Sequence, residues 1–332
     1  MISLTMDDIA DPLWNKRLLS SQLGTIYQTK EYAKYLELRL KIKPIFLKFI
    51  NEKGSIIGQL LLFQSFKGKA KIENSFGRGI LSNNISKIAK FLPKHIRWSH
   101  GPIIFEKSYE NEITERFGNW LKSIKGSFQG YSHPLDSQFD FPSQFNFNNE
   151  KTTTFIIDLK EDLESIFKTT DKNSVQKNIK RSEERGVSVT SIKSKQDLLT
   201  YYKMQKSYRE ENKLISYQFD DILKGFNLLS PLGYGGFIAW MDGIPVGSIS
   251  FSTFNGYINE SGIARTKLDA TKKLYSQDLL RWKIIEWGKE NNCNYYDLSG
   301  VKPDSKDPKD EGIYRNKKKW GGKQYDYWFF KN

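Results

Sequence analysis

The chain has 332 residues, 38% hydrophobic and 14% aromatic, enough apolar surface for one large core or two ordinary ones, which excludes global disorder. With 52 Lys and Arg against 38 Asp and Glu the net charge is +14, which either favours polyanionic partners (RNA, nucleotide phosphates, an acidic membrane face) or reflects a composition rich in Lys, Asn, Ile and Ser throughout. One cysteine, Cys293, rules out an internal disulfide and a thiolate metal cluster, and its place before an apolar strand predicts a buried thiol; with no leader-like start and no apolar run of membrane-spanning length, the expectation is a soluble, cytoplasmic protein.

In chain order, residues 23–35 read as an entry loop and a first helix, and residues 44–50 and 56–63 as strands joined by the Asn51-Glu52-Lys53-Gly54 turn. Gly54, Ile57, Gly58, Leu60 and Leu62 recur as Gly243, Val246, Gly247, Ile249 and Phe251 at a constant offset of 189 residues. Each of these hairpins is followed by a helix holding a tryptophan (Trp120, Trp287) and then a short aromatic strand (128–131, 295–298). The pattern predicts a duplicated unit, with halves at 1–150 and 151–332. Residues 132–151 join them, a polar stretch studded with Phe139, Phe141, Phe145 and Phe147, so the joint is expected to pack across the surface.

The second half begins with a strand at 152–159 and a short helix at 162–167. A helix at 174–185 follows, stopped by Gly186. On it Lys177, Arg181 and Arg185 are spaced by four and share a face, either an anion-binding stripe or an ordinary solvated surface. A strand at 187–192 and helices at 196–212 and 219–229 come next. Asp242-Gly243 and Asn255-Gly256 are strong tight-turn signals, so 237–241, 246–254 and 257–264 read as three meandering antiparallel strands. Apolar residues from Leu274 to Trp287 then repeat at helical spacing over 271–291, followed by a strand at 295–298. A charged loop at 301–311, a Lys-rich turn at 312–322 and a last strand through Phe330 close the chain.

None of His95, His100 and His133 stands beside a Ser or Cys motif, no residues have metal-ligand spacing, and no Walker or dinucleotide glycine loop is present. The segment Gly312-Ile313-Tyr314-Arg315-Asn316-Lys317-Lys318-Lys319-Trp320-Gly321 resembles the Gly-Leu-Tyr-x-Phe-Lys-x-x-Phe-Gly motif of the FemABX peptidyltransferases, members of the wider GNAT-like acyltransferases. Asn316 stands where that motif has Phe, and Trp320 replaces an aromatic. The basic stretch 178–187, ended by a glycine, and Tyr32 in the first helix resemble the family's second-domain and first-domain openings.

The resemblance implies an α/β fold of two GNAT-like acyltransferase domains in tandem, with mixed, mostly antiparallel sheets flanked by helices, the first domain being degenerate. It implies an aminoacyltransferase without metal or cofactor, moving an amino acid from aminoacyl-tRNA to an amino group of a peptidoglycan-type cell-wall precursor. Aminolysis of an ester needs the partners held together and the developing oxyanion stabilised. On this reading Lys317 supplies the charge, or belongs to a solvated Lys run. Tyr314 orients it or relays a proton, and Asp297 takes the amine proton or caps a loop. Lys34, Lys177, Arg181, Arg185 and Trp320 are the candidate substrate contacts. Lys34 falls near a lysine that family members use for a precursor's diphosphate, and no residue fills the position of the accompanying arginine. A GNAT-type N-acyltransferase using acyl-CoA on a sugar or amino acid in envelope polysaccharide synthesis shares the fold, although the stretch before the long helix, Ala270-Thr271-Lys272-Lys273-Leu274-Tyr275, has no glycine for the CoA loop. A non-catalytic RNA-binding protein is the third reading.

Overall fold

The structure is a computed structural model that describes residues 2–66, 93–136 and 138–332. The chain divides into two compact units, residues 1–151 with 326–332, and residues 152–325, so the last residues cluster with the first unit and not with the half that precedes them.

In the first unit β1 (Ser3–Asp7), β2 (Lys43–Ile50), β3 (Ile56–Phe66), β4 (Lys94–Trp98) and β6 (Gly126–Tyr131) lie side by side in that order, and β5 (Ile103–Ile104) pairs with β3. The final residues Phe329–Lys331 pair antiparallel with β6. Helices α1 (Trp14–Leu19) and α2 (Lys30–Leu40) precede β2; Thr29 caps α2 by accepting from the Tyr32 N–H, and Lys41 ends it at φ +50°. Helix α3 (Glu110–Ser123) places Ile113, Phe117 and Leu121, four apart, in the core. Phe139, Phe141 and Phe145 bury beside them with Phe330, so the joint packs down as its composition predicted. The parallel strands β4 and β6 are closed against each other by an indole. A Cβ at Gly130 would sit 1.9 Å from the Trp98 ring, so only glycine fits there.

The second unit orders its strands β7-β12-β11-β10-β9-β8: β7 (Asn148–Asp158), β8 (Ser188–Ser191), β9 (Tyr234–Met241), β10 (Ile244–Phe254), β11 (Tyr257–Arg265) and β12 (Tyr295–Asp297). Both tight turns form as expected, with Asp242 and Asn255 at φ +51° and +52° and the following glycines at +73° and +74°, the geometry that matches strand twist. Side chains alternate across the sheet. Phe237, Ala239, Ile249 and Phe251 meet α4 (Leu163–Thr169), α5 (Lys177–Glu184) and α9 (Ser276–Glu290), while Ile238 packs with α6 (Lys195–Glu211) and α7 (Phe219–Leu229).

Three local expectations change. The helix expected at 271–291 is two: α8 (Lys267–Lys272) stops at Lys273, φ +52°, and α9 starts after Tyr275, φ +59°. The Lys-rich turn is a helix, α10 (Pro308–Lys318), capped by Asp307 with Pro308 in its first turn; Gly312, although a weak helix former, has open space around it. The helix expected from 174 opens with a π-helical turn over Lys172–Gln176.

Candidate active site in the second unit

Strands β11 and β12 run parallel only over Tyr257–Asn259 and Tyr295–Asp297; beyond that β11 continues to Arg265 while β12 ends. Buried polar side chains fill the place where the two strands part.

Glu260, the next residue of β11, faces α9 and forms a two-pronged ion pair with Arg281, at 2.8 Å to Nε and 2.9 Å to Nη2. The Tyr296 hydroxyl donates to the same carboxylate at 2.7 Å. Arg281 also donates to the Asn316 side chain at 2.7 Å, and its guanidinium lies 5.9 Å from the centre of the buried Trp320 ring. Burial by itself would raise the Glu260 carboxyl, but the Arg281 guanidinium prevails and holds it below the usual range. The pair stays charged, each partner depending on the other.

Asp297 ends β12, 2% exposed, and both its oxygens are taken. The Thr154 hydroxyl (2.5 Å) and the Ser299 N–H (2.8 Å) reach Oδ1, and the Tyr257 hydroxyl (2.7 Å) and the Asn259 amide (3.1 Å) reach Oδ2. Burial pushes this carboxyl up. With four donors around it, Asp297 ties β7, β11, β12 and the following turn together. That is the geometry of the loop-capping alternative, and no lone pair is left aimed at an incoming amine.

Helix α10 brings Lys317 in. Its neighbours Lys318 and Lys319 are exposed, whereas Lys317 is 8% exposed, and its ammonium donates to the Ser299 carbonyl at 2.9 Å and to the Gly300 carbonyl at 3.4 Å. Burial first, then the Arg281 charge, lower the Lys317 amine below the usual lysine range against the opposing pull of Glu260 and Asp297. The Lys317–Lys319 run is therefore two solvated lysines and one buried one.

Tyr314 shares the helix but lies outside this hydrogen-bonded cluster: its ring meets Phe155 edge-on at 5.3 Å and its hydroxyl donates to Gln324 at 3.1 Å. Trp320 is wholly buried core, and its face against Arg281 helps to hold that guanidinium. Lys34 lies in the first unit on α2, exposed and paired with Glu37 at 3.0 Å. Lys177 is exposed on α5, and Arg181 and Arg185 lie 6.0 and 5.5 Å from the centre of the Tyr275 ring, with Arg185 donating to the Lys273 carbonyl. The exposed Lys272 and Lys273 join this basic, aromatic patch at the start of α9. There the first N–H of the helix, that of Ser276, donates to the buried Asp269 carboxylate at 2.9 Å. Cys293 is buried, as expected, and burial raises its thiol. Among the described residues no His, Cys, Asp and Glu group is arranged to hold a metal ion, and no helix is long and apolar enough to cross a membrane.

Sequence reasoning missed Glu260, Arg281, Ser299, Tyr257 and Asn259. Two carried a signal: Glu260 occupies a core-facing position next to Ile258 in a strand, and Arg281 interrupts the apolar stripe of α9.

No family profile and no curated protein matches the sequence. Several solved structures share its fold. FemX superposes with a TM-score of 0.71 at 11% identity, over 98% of this chain and 96% of that one. A tandem GNAT protein from the clavulanic acid biosynthesis pathway aligns at 0.54 and 12% identity, over 100% and 98%. L-PGS from Bacillus licheniformis aligns at 0.54 and 14%, over 96% and 91%. The tandem GNAT-like α/β fold implied by the sequence resemblance is the fold of this chain.

Proposed function

We propose that this FemX-like fold is an aminoacyltransferase, moving an amino acid from aminoacyl-tRNA to an amino group of a cell-wall precursor. The observation behind the reading is Lys317, an amine buried and pinned by two backbone carbonyls where β11 and β12 part. In aminolysis the acceptor amine attacks the ester carbonyl, a C–N bond forms as an oxyanion builds, and the C–O bond to the tRNA ribose breaks. A fixed ammonium stabilises the oxyanion, and such donors are each worth on the order of 10²–10³ in rate. An amine held below the usual lysine range also gives up its proton readily. Lys317 protonates the departing ribose oxygen and regains a proton from the attacking ammonium, so one proton moves from acceptor to tRNA overall.

Two further features favour a tRNA donor over acyl-CoA. Basic side chains interleaved with an aromatic ring, as around Tyr275, suit single-stranded nucleic acid, which binds through phosphate charge and base stacking. A CoA diphosphate needs a helix start free to receive it, and at α9 the Asp269 carboxylate already takes the first N–H and opposes a second anion. In this reading Lys177, Arg181 and Arg185 meet the RNA, Lys34 meets the precursor, and Asp297 and Trp320 hold the site.

The test follows label from charged, radiolabelled total tRNA with and without cell-wall precursors, for the wild type and Lys317→Ala. Precursor-dependent transfer that the substitution abolishes is the expected result. Consumption of acyl-CoA without any transfer from tRNA replaces this reading with the N-acyltransferase one, and RNA binding that is indifferent to the substitution, with no transfer at all, replaces it with the non-catalytic one.

A further inference from the structure

Ser299 is the residue on which the geometry of the Lys317 amine converges. It sits just past β12 at φ +67°, a left-handed conformation that strains a non-glycine residue and persists only where its surroundings enforce it. The enforcing contacts come from two strands. Its N–H donates to Asp297 on β12 at 2.8 Å, and its hydroxyl donates to the backbone carbonyl of Glu260 on β11 at 2.6 Å. The hydroxyl bond is the one that crosses the opening between the diverging strands β11 and β12. The left-handed turn aims the Ser299 carbonyl at the Lys317 ammonium, 2.9 Å away. The charged groups nearby, Glu260, Arg281 and Asp297, bond to one another or to neutral groups, and the hydrogen bonds of the amine go to backbone carbonyls.

We propose that Ser299 is a positioning residue: its hydroxyl, by bonding across the gap to the Glu260 carbonyl, locks the turn whose carbonyl fixes the Lys317 ammonium. This rests on the reading of Lys317 given above, and it adds the group that sets where the amine stands. A displacement of about 1 Å in such a group is enough to cost on the order of 10² in rate.

The test separates position from fold and from reaction. Competitive trace acetylation of the whole protein, read lysine by lysine by peptide mass spectrometry across pH, reports the accessibility and basicity of Lys317 without any transfer assay. In the wild type Lys317 labels slowly, with a midpoint below the ordinary lysine value. Ser299→Gly removes the hydroxyl and relieves the left-handed strain, so it folds even where Ser299→Ala does not. It is expected to raise the limiting labelling rate of Lys317 several-fold and to move its midpoint toward the ordinary lysine value. Ser299→Asn, which tolerates the left-handed turn and offers an amide donor, is expected to restore the wild-type profile in part. In the transfer assay the Gly variant is expected to lose about 10–100-fold in kcat with KM within about 2-fold. An unchanged Lys317 profile in the Gly variant, or equal profiles for Gly and Asn, overturns the proposal. A wild type that shows the expected labelling but transfers nothing overturns the functional reading and leaves the positioning role standing.

Discussion

Lowering the pH from 7 to 5 should destabilise this protein through two histidines of the first unit. His100 follows β4 and His133 follows β6; both are buried, with ring centres 5.1 Å apart, and the Tyr27 ring lies 5.0 Å from that of His100. Burial pushes His100 from the ordinary 6.5 down to about 3, and burial together with the His100 charge pushes His133 well below 6.5. Both folded-state values are depressed, so below pH 6.5 the unfolded chain binds protons that the folded chain refuses, down to about 3 for His100. Their stabilising effect is therefore complete above 6.5 and is lost as the pH falls through that window. For His100 alone, moving from pH 7 to pH 5 amounts to about 2 kcal/mol, a large part of an ordinary folding free energy, with His133 adding in the same direction. Urea unfolding of the wild type at the two pH values measures the sum. His100→Asn isolates the share of His100, because asparagine accepts the left-handed backbone at this position, φ +52°, and carries no titrating group. The variant should lose about 2 kcal/mol less than the wild type between pH 7 and 5. Equal losses in the two proteins would refute the reasoning, since the histidine would then not be what the protons find.

Lys317→Met should abolish transfer while holding or raising the melting temperature, because it removes a charge whose burial costs stability; a lower melting temperature would mean that the lysine is there to support the fold. Glu260→Gln leaves the Arg281 charge buried without its counter-ion and should cost about 3–5 kcal/mol in denaturant titrations, whereas Glu260→Leu combined with Arg281→Met should cost much less. Gly130→Val would drive a side chain into the Trp98 ring and should leave little folded protein in solution; a soluble variant with an unchanged melt would show that the strands can part there. Calorimetric titration with CoA should give no binding to the wild type, and heat of binding at micromolar CoA would contradict the role given to Asp269.

The sequence by itself determined what is local. Asp242-Gly243 and Asn255-Gly256 determined the hairpins because the positive φ of a tight turn is a property of those two residues. Helical periodicity located α7 (Phe219–Leu229), and the phenylalanines of 132–151 announced their burial. The repeat at an offset of 189 revealed two like hairpins, and the motif around Tyr314 and Lys317 singled out the segment that forms α10. The charged, lysine-rich sequence reads as a loop and a turn where α10 forms, although Asp307 caps its start, and α8 and α9 read as one helix, because nothing in Lys273 or Tyr275 advertises a left-handed backbone.

Only the tertiary structure decided which polar residues meet. Glu260, Arg281, Asn316 and Tyr296 lie on four separate elements, and Ser299 gains its bonds to Asp297, Glu260 and Lys317 only because β11, β12 and α10 come together at one end. A hydroxyl's intrinsic properties say nothing of the carbonyl it will find. Which of three successive lysines is buried depends on the pitch of α10 and on the side it turns to the sheet, and that orientation is fixed by the packing of Trp320 and Phe155 rather than by any property of the lysines themselves.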